Sequence, residues 1–217
     1  PVLERLHLIR HGEVHNPDRI VYGTLEGFGL SALGRTQADA AAAHLAGSGA
    51  GRVLVSPQQR AVETATPIAR RLGLAVEIDG RLAEWGLAPH WEGVPWADLP
   101  RRFPGELEAY LATPADLPFA AETIAAAAER MSAVISDLDG EGTQVAIVVS
   151  HQDPVQALRF ALTGRDLRAL GVDRPGHAAV VTLDRWDGRW AESGIWSPPG
   201  PLVDVPTQRD RGHDLES

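Results

Sequence analysis

Short apolar runs alternate with helical stretches along most of this chain, and that alternation restricts its fold more than any other feature. Residues 2–9 read as a strand that stops at Arg10-His11-Gly12, and a loop without clean periodicity follows over 12–30. Ser31 is placed to cap a helix that runs to about 46, where Gly47, Ser48 and Gly49 end it. Residues 53–55 form a second strand. Ser56 and Pro57 then supply a cap and a first helical position for a helix over about 58–72, closed by Gly73. A third strand is expected at 75–78, a long helix at about 120–138, the most apolar strand (VAIVV) at 145–149, and a helix at about 154–162 closed by Gly164. Beyond Gly176, residues 177–183 read as a strand, and Asp187-Gly188 is a hairpin signal that returns the chain along 189–195. Strands alternating with helices predict a three-layer α/β/α sandwich with a mostly parallel sheet, to which the hairpin adds at least one antiparallel strand.

At 217 residues the chain is long enough for one domain with a sizeable core. That domain is expected over 1–200, with an extended tail rich in Pro, Arg and Asp at 201–217. Residues 85–119 break the alternation. They hold Trp85, Trp91, Trp96, Phe103, Tyr110 and Phe119 among several prolines, with helical pieces near 95–102 and 106–112. The segment is too short to bury much core alone, so it reads as a small inserted cap whose aromatics either form its own core or wall a pocket mouth.

The formal charge of −9 argues against a nucleic-acid surface but leaves room for a small anion gripped by a few arginines, the only basic residues besides histidine. Cysteine is absent, which excludes disulfides and thiolate metal sites and fits a cytoplasmic setting. The N-terminal segment lacks the pattern of a secretory signal, and no apolar run approaches the length of a membrane span. No Asp/His cluster has metal-ligand spacing and no nucleotide-binding glycine motif occurs, so neither a metal nor a cofactor is expected.

In sheets of this class ligands bind beyond the carboxyl ends of the strands. Arg10-His11 and Ser150-His151 both stand at such ends, Arg60 lies in the first turn of the helix after the second strand, and Glu84 lies just past the third strand. These residues are far apart in sequence and are expected on one rim.

Five segments, in order, carry a resemblance: LIRHGE at 8–13, LSALGRTQA at 30–38, SPQQRAVETA at 56–65, LAE at 82–84 followed by WEG at 91–93, and VVSHQDPV at 148–155. Over roughly residues 2–165 the chain resembles the histidine phosphatase superfamily, in the branch that includes phosphoglycerate mutases. The resemblance implies hydrolysis of phosphate monoesters through a phosphohistidine. It makes His11 the nucleophile, Arg10 and Arg60 the phosphate-binding guanidiniums, His151 a donor to a phosphoryl oxygen and Glu84 the general acid/base. Glu92 is a rival for the last role, and Glu13 either touches the site or orients its loop.

Two positions depart from the pattern. An asparagine stands six residues after the nucleophile in many relatives; here Asn16 stands five after, preceded by His15, and either side chain is a candidate for the phosphate. Gln152 replaces the glycine that often follows the second histidine, where it could narrow the pocket or bind substrate. The cap offers only Arg101 and Arg102 as cations, which favours hydrolysis over a mutase that holds a second charged group. A mutase is the alternative, and a silent binding protein on the same fold a further one. The expected partner is a small-molecule phosphate ester rather than nucleic acid or membrane, and the hairpin edge offers a surface for a homodimer.

Overall fold

A computed structural model describes residues 2–200; the tail expected over 201–217 lies outside the described residues. In chain order the strands are β1 (Arg5–Arg10), β2 (Arg52–Val55), β3 (Val76–Ile78), β4 (Val145–Ser150), β5 (Val180–Trp186) and β6 (Arg189–Trp196). The helices are α1 (Ala32–His44), α2 (Gln59–Leu72), α3 (Leu99–Arg102), α4 (Glu106–Ala112), α5 (Ile124–Gly140) and α6 (Gln152–Thr163). The strands form one sheet in the order β3-β2-β4-β1-β5-β6. The first four are parallel, whereas β5 runs antiparallel to both β1 and β6.

The central strand β4 is apolar over residues 145–149 because both of its faces are covered. Ala146 and Val148 of β4 join Met131, Ile135 and Leu138 of α5 and Leu158 of α6 on one side. Ile147 and Val149 point the other way, to Ala41 and Leu45 near α1 and to Ala61, Ala65 and Ile68 of α2. The alanines let α1 and α2 lie close to the sheet and to each other. These are the three layers, with a mostly parallel sheet. The hairpin turn is also as expected: Asp187 and Gly188 both have positive φ (49° and 77°), the two-residue turn that matches strand twist.

Element boundaries differ where tertiary contacts override local signals. Ser56 does not cap α2. The helix begins at Gln59 with no side-chain cap, and the Ser56 hydroxyl is turned to Gln58 and His151 instead. The long helix begins at Ile124, capped by Thr123, because the preceding backbone pairs elsewhere: Ala121 N–H donates to Leu87 O and Glu122 N–H to Gly86 O. Helix α6 starts two residues earlier than expected, at Gln152, so Pro154 falls in its first turn, where no intrahelical N–H is needed.

The segment over 85–119 packs above the sheet's carboxyl rim as a cluster of its own. Trp85, Trp91, Leu99, Leu107 and Tyr110 are buried there against Ile124 and Ala127 of α5 and Ala157 and Phe160 of α6, with Trp96, Phe103 and Phe119 partly buried around them. Both expectations for the aromatics hold in part. Trp85, Trp91 and Trp96 belong to this cluster and also line a cavity beneath the cap, whereas Phe103 packs without reaching it.

Candidate active site

The site grows out of the register of the two central strands. Arg10 pairs with Ser150, and the next backbone link is His11 N–H to Ser150 O at 3.0 Å. His11 and His151 therefore leave adjacent strand ends together, with ring centroids 5.2 Å apart at 63°. Gly12 is needed next because α1 begins against the loop: a Cβ on Gly12 would lie 2.6 Å from Gly34 O, and one on Gly34 would lie 2.0 Å from Glu13 O. The backbone N–H of Gly12 is held by Thr64 Oγ1 at 2.9 Å. Glu13 sits outside this centre and ties the same loop to α1, accepting from the Ser31 hydroxyl at 2.6 Å.

The hydrogen bonds of His11 fix its tautomer. Its Nδ1 lies 2.8 Å from Gly12 O, a group that can only accept, so the proton resides on Nδ1 and the Nε2 lone pair is left for attack. Burial, reinforced by Arg60, His151 and Arg10, pushes the His11 pKa well below its usual value, and the ring is neutral at pH 7. His151 is also held neutral, by burial and then by Arg60. The Ser56 hydroxyl donates to Gln58 Oε1, so the Ser56 oxygen accepts from His151 Nε2–H at 2.7 Å. His151 Nδ1 is buried without a hydrogen-bond partner, as are the Nε atoms of Arg10 and Arg60. Buried polar nitrogens without partners are rare in folded proteins, and these three stand together around two histidines. A phosphoryl group brings the acceptor oxygens that the Nε–H groups of Arg10 and Arg60 lack, and that His151 Nδ1 needs once the ring is protonated.

The guanidiniums are held rigidly. Arg10 donates to Pro175 O at 3.2 Å and to His177 Nε2 at 2.9 Å. Arg60, 1% exposed in the first turn of α2, donates to Gly23 O at 2.7 Å and lies 4.7 Å over the Tyr22 ring. Glu84 follows the short turn after β3. Its Oε2 lies 3.6 Å from Arg60 and 3.4 Å from His151 Nδ1, while its Oε1 accepts from Trp85 N–H at 2.8 Å. Burial raises its pKa to about 7 against the opposing pull of Arg60.

The structure thus brings His11, Arg10, Arg60, His151 and Glu84 together, and it places Gln152 on the wall of the adjoining cavity. Asn16 stands apart. Its carboxamide closes a local loop, donating to Ile20 O at 2.9 Å and accepting from Ile20 N–H at 3.2 Å, and it does not line the cavity; nor does His15, which is exposed. The loop's own backbone takes up the asparagine that the shortened spacing had offered to the phosphate. Glu92 does reach the cavity, but one of its oxygens accepts both from Thr24 N–H and from the Thr24 hydroxyl, each at 2.7 Å, which ties the cap to the loop beside Gly23.

Tyr22, Gln58 and His177 also touch the arginines or His151, and no sequence motif marks them. His177 is the most instructive. It precedes β5, and because β5 is antiparallel its beginning lies on the same rim as the ends of the parallel strands; Ala178 N–H donates to Arg10 O at 2.9 Å. A rule that inspects strand ends misses it, and the antiparallel direction was the available signal.

The cavity under the cap has a volume of about 640 Å³, with Arg10, His11, Glu84 and His177 at one end. Among the described residues no group of three or more His, Cys, Asp or Glu is arranged to hold a metal ion. No helix among them is long and apolar enough to cross a membrane.

Two neutral imidazoles at adjacent strand ends, flanked by buried guanidiniums and a carboxyl group of raised pKa, define an enzyme of phosphoryl transfer. Residues 6–195 match the histidine phosphatase superfamily (branch 1), and the chain belongs to that family. It is 41% identical over 206 residues to the uncharacterized protein Rv0525 of Mycobacterium tuberculosis, covering 93% of this chain and 100% of that protein. It is 31% identical over 168 residues to glucosyl-3-phosphoglycerate phosphatase of the same species, covering 73% of this chain and 74% of that one. Among solved structures, a mycobacterial glucosyl-3-phosphoglycerate phosphatase in complex with VO3 superposes with a TM-score of 0.79 at 28% identity, covering 90% of this chain and 100% of the other. A mycobacterial hydrolase superposes with a TM-score of 0.80 at 28% identity, covering 91% and 99%.

Proposed function

We propose that this chain hydrolyses small phosphate monoesters, with His11 Nε2 as nucleophile and Glu84 as the group that moves protons. The neutral, Nδ1-protonated state of His11 carries the proposal, because it presents a lone pair beside two guanidiniums without requiring any prior proton loss. In the first step Nε2 bonds to phosphorus, the ester P–O bond breaks, and protonated Glu84 gives its proton to the leaving alkoxide. In the second step Glu84 takes a proton from water as the water oxygen bonds to phosphorus and the N–P bond breaks. Arg10 and Arg60 face the charge on the equatorial oxygens. His151 Nδ1 joins them as a donor once the ring takes up a proton, which a dianionic phosphoryl group favours.

Hydrolysis is preferred to a mutase reaction because Arg101 and Arg102 point to Asp98 instead of lining the cavity, so the cap holds no guanidinium for a second anionic group. The name of the 31%-identical relative makes glucosyl-3-phosphoglycerate one ester to assay. A net charge of −9 supports a small-molecule partner rather than nucleic acid, and a cytoplasmic enzyme is the setting proposed. The exposed outer strand β6 is the edge through which a homodimer would form.

The test is His11→Ala. Brief mixing of the unchanged protein with a 32P-labelled ester is expected to leave acid-labile label on the chain. The variant is expected to lose that label and to release phosphate at least about a thousandfold more slowly. Label retained by the variant would show another nucleophile.

A further inference from the structure

We infer that the leaving group this site accepts is an uncharged, apolar alcohol of ring size or longer, held by the underside of the cap. The inference rests on the hydrolase reading above and concerns the part of the cavity away from the phosphoryl end.

That part is lined mainly by Trp85, Leu87, Trp91, Trp96, Leu107 and Leu111. The polar tips of Trp85, Trp91 and Tyr110 are spent within the protein. Trp85 Nε1 donates to Glu122 O, Trp91 Nε1 to Glu106 Oε2 at 2.7 Å, and the Tyr110 hydroxyl to Asp153 Oδ2 at 2.7 Å. What these side chains present to a ligand is ring carbon, and the aliphatic residues add more of the same. A volume of about 640 Å³ falls within the range of pockets that enclose whole ligands, well beyond the needs of a phosphoryl group.

The charges on this wall point the same way. Away from the phosphoryl end, the cavity-lining charged residues are Asp18, Glu92 and Asp153 against one cation, Arg19. Glu92 is bound to Thr24, and Asp153 is neutralised by the Tyr110 hydroxyl and by Arg174 at 3.4 Å. Arg19 is exposed, where solvent and salt screen it, and Asp18 adjoins it. A carboxylate or second phosphate on the leaving group would lose its hydration on entering this space and gain no buried guanidinium in return. An apolar group loses nothing of that kind and gains from every carbon covered.

The experiment is kcat/KM for phosphate release from ethyl, butyl, hexyl and 3-phenylpropyl phosphates, whose leaving groups have similar basicity, alongside 3-phosphoglycerate and glucosyl-3-phosphoglycerate. The expected result is a rise of roughly twofold to fourfold per methylene until the cavity is filled, with the 3-phenylpropyl ester at least about tenfold above either phosphoglycerate. Trp96→Ala is expected to reduce the ratio of 3-phenylpropyl to ethyl phosphate several-fold. A flat series, or a phosphoglycerate as the fastest ester, overturns the inference and leaves the hydrolase reading standing. No phosphate from any ester, and no labelled His11, overturns the hydrolase reading itself.

Discussion

Glu84 has to give a proton in one half of the reaction and take one back in the other, and a carboxyl of ordinary pKa does the first poorly at neutral pH. The fold answers by burial. Desolvation lifts the group to about 7 although Arg60 stands 3.6 Å away and opposes the shift. Attack on a free ester needs the acid form of Glu84 and the neutral form of His11, and His11 is already neutral throughout this range. Hence kcat/KM for an alkyl phosphate is expected to fall as pH rises through about 7, since that parameter reports the free enzyme. Glu84→Gln is expected to abolish this limb and to cost on the order of a hundredfold for alkyl phosphates, with a smaller loss for aryl phosphates, whose leaving groups need less protonation. A pH–rate profile on both ester types checks it; the same limb surviving in the variant would assign the proton to another group. Glu92 is a poor substitute because its contacts with Thr24 make it part of the cap's attachment.

At the scale of elements, the site depends on how closely α1 approaches the loop after β1. Gly12 and Gly34 have no room for a Cβ, and in both cases the obstructing atoms are backbone, which cannot swing aside. Gly34→Ala is expected to push α1 from Glu13, displace the Gly12 carbonyl that holds His11 Nδ1, and destabilise the protein by about 1–3 kcal/mol. For a chain of this size that is a fall in Tm of roughly 2–12 °C. Gly47→Ala, where a Cβ meets nothing within 4 Å, is the control and is expected to leave Tm nearly unchanged. Equal thermal scans for the two variants would show that the close approach is not needed. The same elements show what could be read from sequence. The strands and helices that bury one consistent face, such as β4 and α2, are written into local periodicity. So are the residues at the carboxyl ends of parallel strands, His11 and His151. Ser56 had the local chemistry of a helix cap, but an imidazole competed for its oxygen. Asn16 had the right chemistry near the right place, but the loop's own backbone took it. His177 leads into β5, a strand that enters the rim from the opposite direction, so its place depends on a pairing between β1 and β5 across more than 160 residues, which no local pattern encodes.

The whole molecule bears a cost for keeping so many imidazoles dry. Burial holds His7 at a pKa of about 4 and His177 at about 2, and it holds His11 and His151 well below the usual 6.5. Below pH 6.5 the unfolded chain takes up protons at these four positions and the folded chain does not, so their contribution to stability is present above 6.5 and is lost as pH falls. Glu84 works in the opposite sense. Its raised pKa penalises the folded state above about 7, and that penalty is relieved on the way down to its ordinary value of 4.5. Four histidines against one carboxyl leave the unfolded state ahead by roughly three protons near pH 5.5, a slope of about 4 kcal/mol per pH unit. Integrated from pH 7.5 to 5.5, the loss is about 3–4 kcal/mol, a large share of a typical folding free energy of about 5–15 kcal/mol. The urea midpoint is therefore expected to drop by about 1 M or more between those pH values. His177→Asn, which keeps an acceptor for Arg10 but removes one titrating ring, is expected to show a drop smaller by about 1 kcal/mol. Inorganic phosphate is expected to reduce the drop as well, because a dianion between His11 and His151 favours the imidazolium that burial alone disfavours. A midpoint unchanged over this range would mean that the folded protein already accepts those protons, and His11 would then not be the standing neutral nucleophile on which phosphoryl transfer here depends.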